Sequence, residues 1–155
     1  MSNSSIFEPA SSSATQIVPQ SVEAEEAVLG SILINPDAYY DVAEFLEGDD
    51  FYIHRHKWIW ESFTRLQEGR KPIDYLTVVD DLDNQGQLAE IGGAAFITSL
   101  INNVPSSLHA ISYARIVEET AVRRRMLEAA NKIAKLAYTE ETGLDAVMGD
   151  AEKAV

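Results

Sequence analysis

Between Ser106 and Tyr138 the chain has neither glycine nor proline, the two residues that most readily interrupt a helix. The run predicts one helix of roughly thirty residues, opened by Ser106 or Ser107 and about 45–50 Å long at 1.5 Å per residue. That exceeds the width of a small globule, so part of the helix must project. Its apolar face also moves. Ile111, Ala114, Val117 and Ala121 form one stripe, and Val122, Met126, Ala129, Ile133 and Leu136 form a second, rotated about the axis. The second stripe advances in strict 4,3,4,3 steps, a narrow seam suited to a single helical partner. Thr142-Gly143 supplies a turn, and Leu144, Val147, Met148 and Ala151 begin a further amphipathic helix. The expectation is a helical hairpin with too little core to stand alone. Its seam, from Val122 to Leu136, is the candidate surface for self-association. Arg123, Arg124 and Arg125 would lie at its rim, facing solvent or the acids of a partner.

The rest of the chain is broken at short intervals. Residues 1–19 are Ser-rich and aperiodic, with Pro9, Pro19 and one charge, Glu8, and read as a disordered tail. Ser21 can cap a first helix in which Val28, Leu29 and Ile32 face inward. Glu23, Glu25 and Glu26 then complement the helix dipole on a solvated face. Asn35-Pro36 ends that helix and starts a second, with Asn35 as its cap, carrying Tyr39, Val42 and Leu46 up to Gly48. Phe51 leads into a third, through about Gln67, with Ile59, Phe63 and Leu66 on one face and Gly69 as its stop. Pro72 and Asp74 open a fourth, with Leu76 or Tyr75, Val79 and Leu82 inward and Gly86 at its end. Gly92-Gly93 introduces a fifth bearing Phe96, Leu100 and Ile101, broken by Val104-Pro105.

No segment alternates with period two, so a sheet has nothing to be built from. The fold class is all-α: a compact bundle of short helices followed by a long helix that forms a projecting hairpin. The expected division is a tail at 1–19, a globule at 20–105 and the hairpin at 106–155. Phe51, His56, Trp58, Ile59, Trp60 and Phe63 are the expected structural core, His56 holding a loop beneath Phe51 and Trp58.

The chemistry that is missing narrows function. The 155 residues include no cysteine, which removes disulfides, thiolate metal sites and cysteine nucleophiles and points to a reducing, cytoplasmic setting. No apolar run approaches a membrane span, and the N-terminus lacks the basic and apolar regions of a signal peptide. The net charge is −13, with nine acidic residues and no basic one over 23–50. Such a surface repels phosphate backbones, so direct nucleic-acid binding is not expected. No Gly-Lys dipeptide occurs, so no P-loop exists to cradle a nucleotide, and neither ATP binding nor hydrolysis is expected. Asp81, Asp83, Gln85 and Gly86 imitate the start of a calcium loop, but its bidentate glutamate would fall on Gly92. His54 and His56 diverge on a helix and have no evident third ligand. No catalytic residue, metal site or cofactor site is expected.

Together these segments resemble the opening of bacterial replicative DNA helicases of the DnaB type. The resemblance rests on Pro19 to Glu25 followed by Val28 to Leu33, and on Phe51-Tyr52 with His56 and Ile59-Trp60. Pro72-Ile73-Asp74, Ile91-Gly92-Gly93, Val104-Pro105-Ser106 and Tyr113 to Val117 continue it in order. It covers residue 19 to about 155. Each motif is weak, but six in register are specific. Where the family places an Asn before the Ile of the long helix, this chain has Leu108-His109-Ala110-Ile111, leaving Ser106 or Ser107 as the cap. The resemblance implies the N-terminal collar alone, with the ATP- and Mg-dependent motor of the parent helicase lying beyond it. It further implies pairing into dimers, a ring of three dimers, recruitment of primase, and a loader that acts on the whole helicase. Two other readings compete. One is the helicase-interacting C-terminal domain of a primase, whose globule and hairpin are similar but which would end a chain. The other is an unrelated helical adaptor.

Overall fold

The computed structural model describes residues 17–139 and 143–155, and among them the regular structure is helical. The tail expected at 1–19 falls almost wholly outside the described residues, as does Thr142 of the hairpin turn. Seven α-helices follow in order: α1 (Val22–Ile34), α2 (Ala38–Ala43), α3 (His54–Glu68), α4 (Tyr75–Asn84), α5 (Gly93–Asn102), α6 (Ala110–Tyr138) and α7 (Leu144–Ala154). Short 3-10 turns at Gly48–Asp50 and Ser107–His109 precede α3 and α6.

Helix α1 is the centre of the globule. Nine of its thirteen residues are buried, which fits its packing against α2, α3, α5 and α6 at once. Ser21 caps it, its hydroxyl accepting from the amide of Ala24 at 3.2 Å. Gly30 sits in the middle because there is no room for a side chain: a Cβ there would strike the carbonyl oxygen of Leu100 and the side chain of Val104. Gly30→Ala is therefore expected to force α1 and α5 apart at a cost of about 1–3 kcal/mol. Urea denaturation measures this, and an unchanged midpoint would refute the tight crossing.

The chain enters α2 through two tight turns, Ala38 bonding back to Asn35 and Tyr39 to Pro36. Asn35 is thus the C-cap of α1 rather than the cap of α2, which begins two residues beyond Pro36. Helix α3 buries His56, Ile59, Trp60, Phe63 and Leu66, the face expected from its spacing. Its stop differs in detail. Gly69 has φ −79, and Arg70 takes the left-handed turn at φ 55, with the Lys71 amide reaching the Leu66 carbonyl at 2.8 Å. The same motif ends α4 with Gly86 in that position, where the conformation carries no steric penalty.

Asp74 caps α4 in a reciprocal pair with Thr77. Within α4, Leu82 is buried as expected and Tyr75 rather than Leu76 lies against the core, but Val78 takes the fully buried place and Val79 is only partly covered. In α5 the buried residues are Ile97 and Leu100, with Phe96 and Ile101 partly covered. Asp81, the first oxygen of the false calcium loop, is bound by the Arg65 guanidinium, whose Nη2 lies 2.7 Å from its carboxylate. Burial pushes that carboxyl up, but Arg65, Ser62 and Lys71 outweigh it and hold it below the ordinary range. Ionised Asp81 thus stabilises the fold fully above the unfolded carboxylate pKa of about 3.9, and the contribution is lost as the pH falls through the lower folded value. Asp81→Asn is expected to lower stability by about 1 kcal/mol at pH 7 and by progressively less in acid. Unfolding free energies measured at several pH values would show that narrowing.

Ser106 caps the second 3-10 turn, accepting from the Leu108 amide at 3.3 Å, and α6 itself starts at Ala110. The first stripe of α6 is Ala110, Ala114, Val117 and Ala121. Ile111, expected inward, is 46% exposed. Small residues at these positions let α6 lie close against α1. The globule's packing consequently runs to Ala121 rather than stopping at residue 105.

A candidate interaction site on the long helix

Beyond Ala121, α6 continues for four to five turns with no buried residue. Val122 is 45% exposed and Met126 67%, while Ala129, Ile133 and Leu136 are half-buried. The cover comes from α7, which packs along this half of α6. It is incomplete. Leu144 and Met148 of α7 are themselves exposed, and a groove of about 1080 Å³ runs past Val122, Met126, Ala129, Tyr138 and Ala154. Leu127, at the edge of the seam, is also exposed.

The three arginines do not share one environment. Arg123 pairs with Glu119 one turn earlier, at 3.1 Å, and is solvated. Arg124 and Arg125 reach back to the globule instead of lying at a rim. Arg124 donates to the carbonyl of Pro19 at 2.8 Å and to that of Asp50 at 2.7 Å, and its guanidinium lies 5.2 Å from the Tyr52 ring centre. Arg125 forms an ion pair with the buried Asp50 carboxylate. A run of like charge read from sequence as a solvated face or partner contact thus supplies two anchors for its own chain.

The segment these anchors grip is held from the other side by a residue the sequence did not single out. Glu25 was expected on a solvated face, yet it is fully buried. Its carboxylate accepts from the amides of Tyr52 at 3.0 Å and Ile53 at 3.2 Å, and from Nδ1 of His56 at 2.9 Å. It thereby takes up the two amides just ahead of α3, including that of the cap residue Ile53, which makes no side-chain cap bond of its own. His56 therefore holds the loop through Glu25. Its ring is stacked parallel to Phe96 at 6.0 Å, and Nε2 lies 3.5 Å from Glu26. Above the loop, Phe51 and Tyr39 pack on Trp60, while Trp58 is partly covered and meets His54 edge-on. Lys57 fixes the 3-10 turn from outside, 2.7 Å from Asp49, holding that carboxyl below its ordinary range.

Among the described residues no group of histidines, aspartates and glutamates could hold a metal ion, and no helix is long and apolar enough to cross a membrane. What the geometry offers is a helical globule and, running out from it, an arm with an incompletely covered apolar seam. That defines the class among the described residues: an all-helical domain with a projecting helical hairpin.

The chain belongs to the DnaB-like helicase N-terminal domain family, whose model matches residues 17–119. It is 38% identical over 140 residues to the replicative DNA helicase DnaB of Geobacillus stearothermophilus, an alignment covering 90% of this chain and 31% of that protein. The chain thus spans about a third of the length of the curated relatives it matches. The crystal structure of the N-terminal domain of DnaB helicase from Mycobacterium tuberculosis superposes with a TM-score of 0.85 at 36% identity, covering 89% of this chain and 98% of that one. The fold is also that of the N-terminal domain of DnaB helicase from Helicobacter pylori, described with its interactions with primase. There the TM-score is 0.66 at 21% identity, over 76% of this chain and 91% of that one. The family places this chain with helicase N-terminal domains rather than with the primase domain of similar architecture.

Proposed function

We propose that this chain is the collar domain of a hexameric replicative DNA helicase, a non-catalytic scaffold that pairs with a second copy and recruits primase during DNA replication. The observation that carries this reading is the fate of α6. Its buried residues end at Ala121, the helix runs on to Tyr138, and α7 covers the exposed seam only in part. A second hairpin is the natural cover, since a two-fold contact closes such a surface with one patch used twice. Three such pairs would make the ring. In this reading ATP-driven unwinding, with its ATP and Mg, belongs to the part of the relatives' length that this chain does not span. The acidic character, −13 in all, suits a collar through which DNA passes without adhering. Primase recruitment is supported by the Helicobacter pylori domain described with its primase interactions. Calorimetric titration with purified bacterial primase tests it. Saturable binding is expected, and heats indistinguishable from dilution across the accessible range would remove recruitment from the reading.

A further inference from the structure

We infer that Arg124 and Arg125, closing on Asp50 and Pro19, form the joint that sets the angle at which the hairpin leaves the globule. The last residue of α6 buried in the globule is Ala121, and Arg124 and Arg125 stand one turn beyond it, still bonded to the segments ahead of α1 and α3. Arg124 spans two segments far apart in sequence, bonding the carbonyl of Pro19 ahead of α1 and that of Asp50 ahead of α3. A guanidinium holding two carbonyls in a fixed fork constrains direction as well as distance. Arg125 adds the Asp50 carboxylate, which is itself fixed because it accepts from the Glu47 amide at 2.8 Å.

The gripped loop cannot follow the arm. Past Phe51, whose amide closes the turn onto Gly48, the Tyr52 and Ile53 amides are tied to buried Glu25, so the joint bears on the core rather than on a free turn. The arm beyond it, residues 126–138, is about 20 Å long at 1.5 Å per residue, and a tilt of about 10° at the joint displaces its tip by about 3–4 Å. Because α6 is one unbroken helix packed on α1 through its first half, the two side chains act as a brace at its middle that steadies where the seam is presented. Nothing apolar would replace them, because Val122 and Met126, on either side of the joint, are exposed.

The test is made within one chain and does not depend on the collar reading. The protein has no cysteine, so Leu76→Cys on α4 and Ala137→Cys near the end of α6, both at exposed positions, can carry a nitroxide pair. Dilution with unlabelled protein suppresses distances between copies. Pulsed electron resonance should give one narrow distance distribution for the parent. Arg124→Gln and the double variant Arg124→Gln/Arg125→Gln should at least double its width, with the helicity and melting of the globule nearly unchanged. Arg124→Lys, which keeps the charge but reaches one carbonyl at a time, should fall between. An unchanged width in a folded glutamine variant would overturn the inference. Cooperative loss of helicity in both glutamine variants would overturn it too, since the arginines would then be part of the core and not a joint.

Discussion

Replacing Glu25 with alanine is expected to lower the unfolding free energy by about 3–5 kcal/mol, a large share of the stability of a domain this size. The carboxylate is fully buried and takes three hydrogen bonds, from the Tyr52 and Ile53 amides and from His56. Alanine leaves all three donors without a partner, away from water. That is the costly way to lose a buried polar group, because the donors keep their desolvation penalty and lose their acceptor. Glu25→Gln should be milder, since an amide oxygen still accepts but the NH2 group faces a donor. Denaturant midpoints measure both. The Tyr52 and Ile53 amides should exchange with solvent far faster in the alanine variant even under native conditions. A cost below about 1 kcal/mol for the alanine variant would mean that the loop finds other acceptors.

Trp60→Ala should be comparably damaging, at about 3–5 kcal/mol. The indole is 3% exposed, meets Tyr39 at 5.2 Å and Phe51 at 5.5 Å between ring centres, and lies edge-on to Phe63 at 6.4 Å. Removing it opens a cavity between α2, α3 and the Gly48–Asp50 turn that neighbouring rings are too stiff to fill. Fluorescence offers an independent check. Trp60 should emit as a buried indole and Trp58, partly covered beside His54, at longer wavelength. A Trp60→Ala variant that keeps the parent's denaturation midpoint would contradict the packing described.

The core was legible because it is periodic. Ile59, Phe63 and Leu66 recur at helical spacing between a clear start and stop, and α3 forms where that pattern lies. Faces carried by small or adjacent β-branched residues were less legible. Val78 and Val79 are equally good candidates on paper, and only the tertiary contacts of α4 choose Val78. In α6 the choice of Ala110 over Ile111 goes against hydrophobicity, because closeness to α1 matters more there than side-chain volume. The polar joint was not legible at all. Glu25 looks like one member of an acidic first turn, and its donors lie 27 to 31 residues away, beyond the reach of any local pattern. Arg124 resembles its neighbours Arg123 and Arg125 until Pro19 and Asp50 are brought beside it. Gly30-Ser31 within an apolar helix is a local signal of the close crossing with α5, since small residues there leave room for a neighbouring backbone.

The seam differs from these cases, because its meaning lies outside a single chain. Sedimentation of the protein over a concentration series, with and without Ile133→Asp, tests most directly whether the hairpin carries assembly. Ile133 is half-buried on the arm and lies beyond the joint, so the charge should not reach the globule. The parent should shift from monomer to dimer or larger species as concentration rises, while the variant stays monomeric with the α1–α5 helices intact by circular dichroism. Equal association by parent and variant, or cooperative loss of all helicity in the variant, would contradict it.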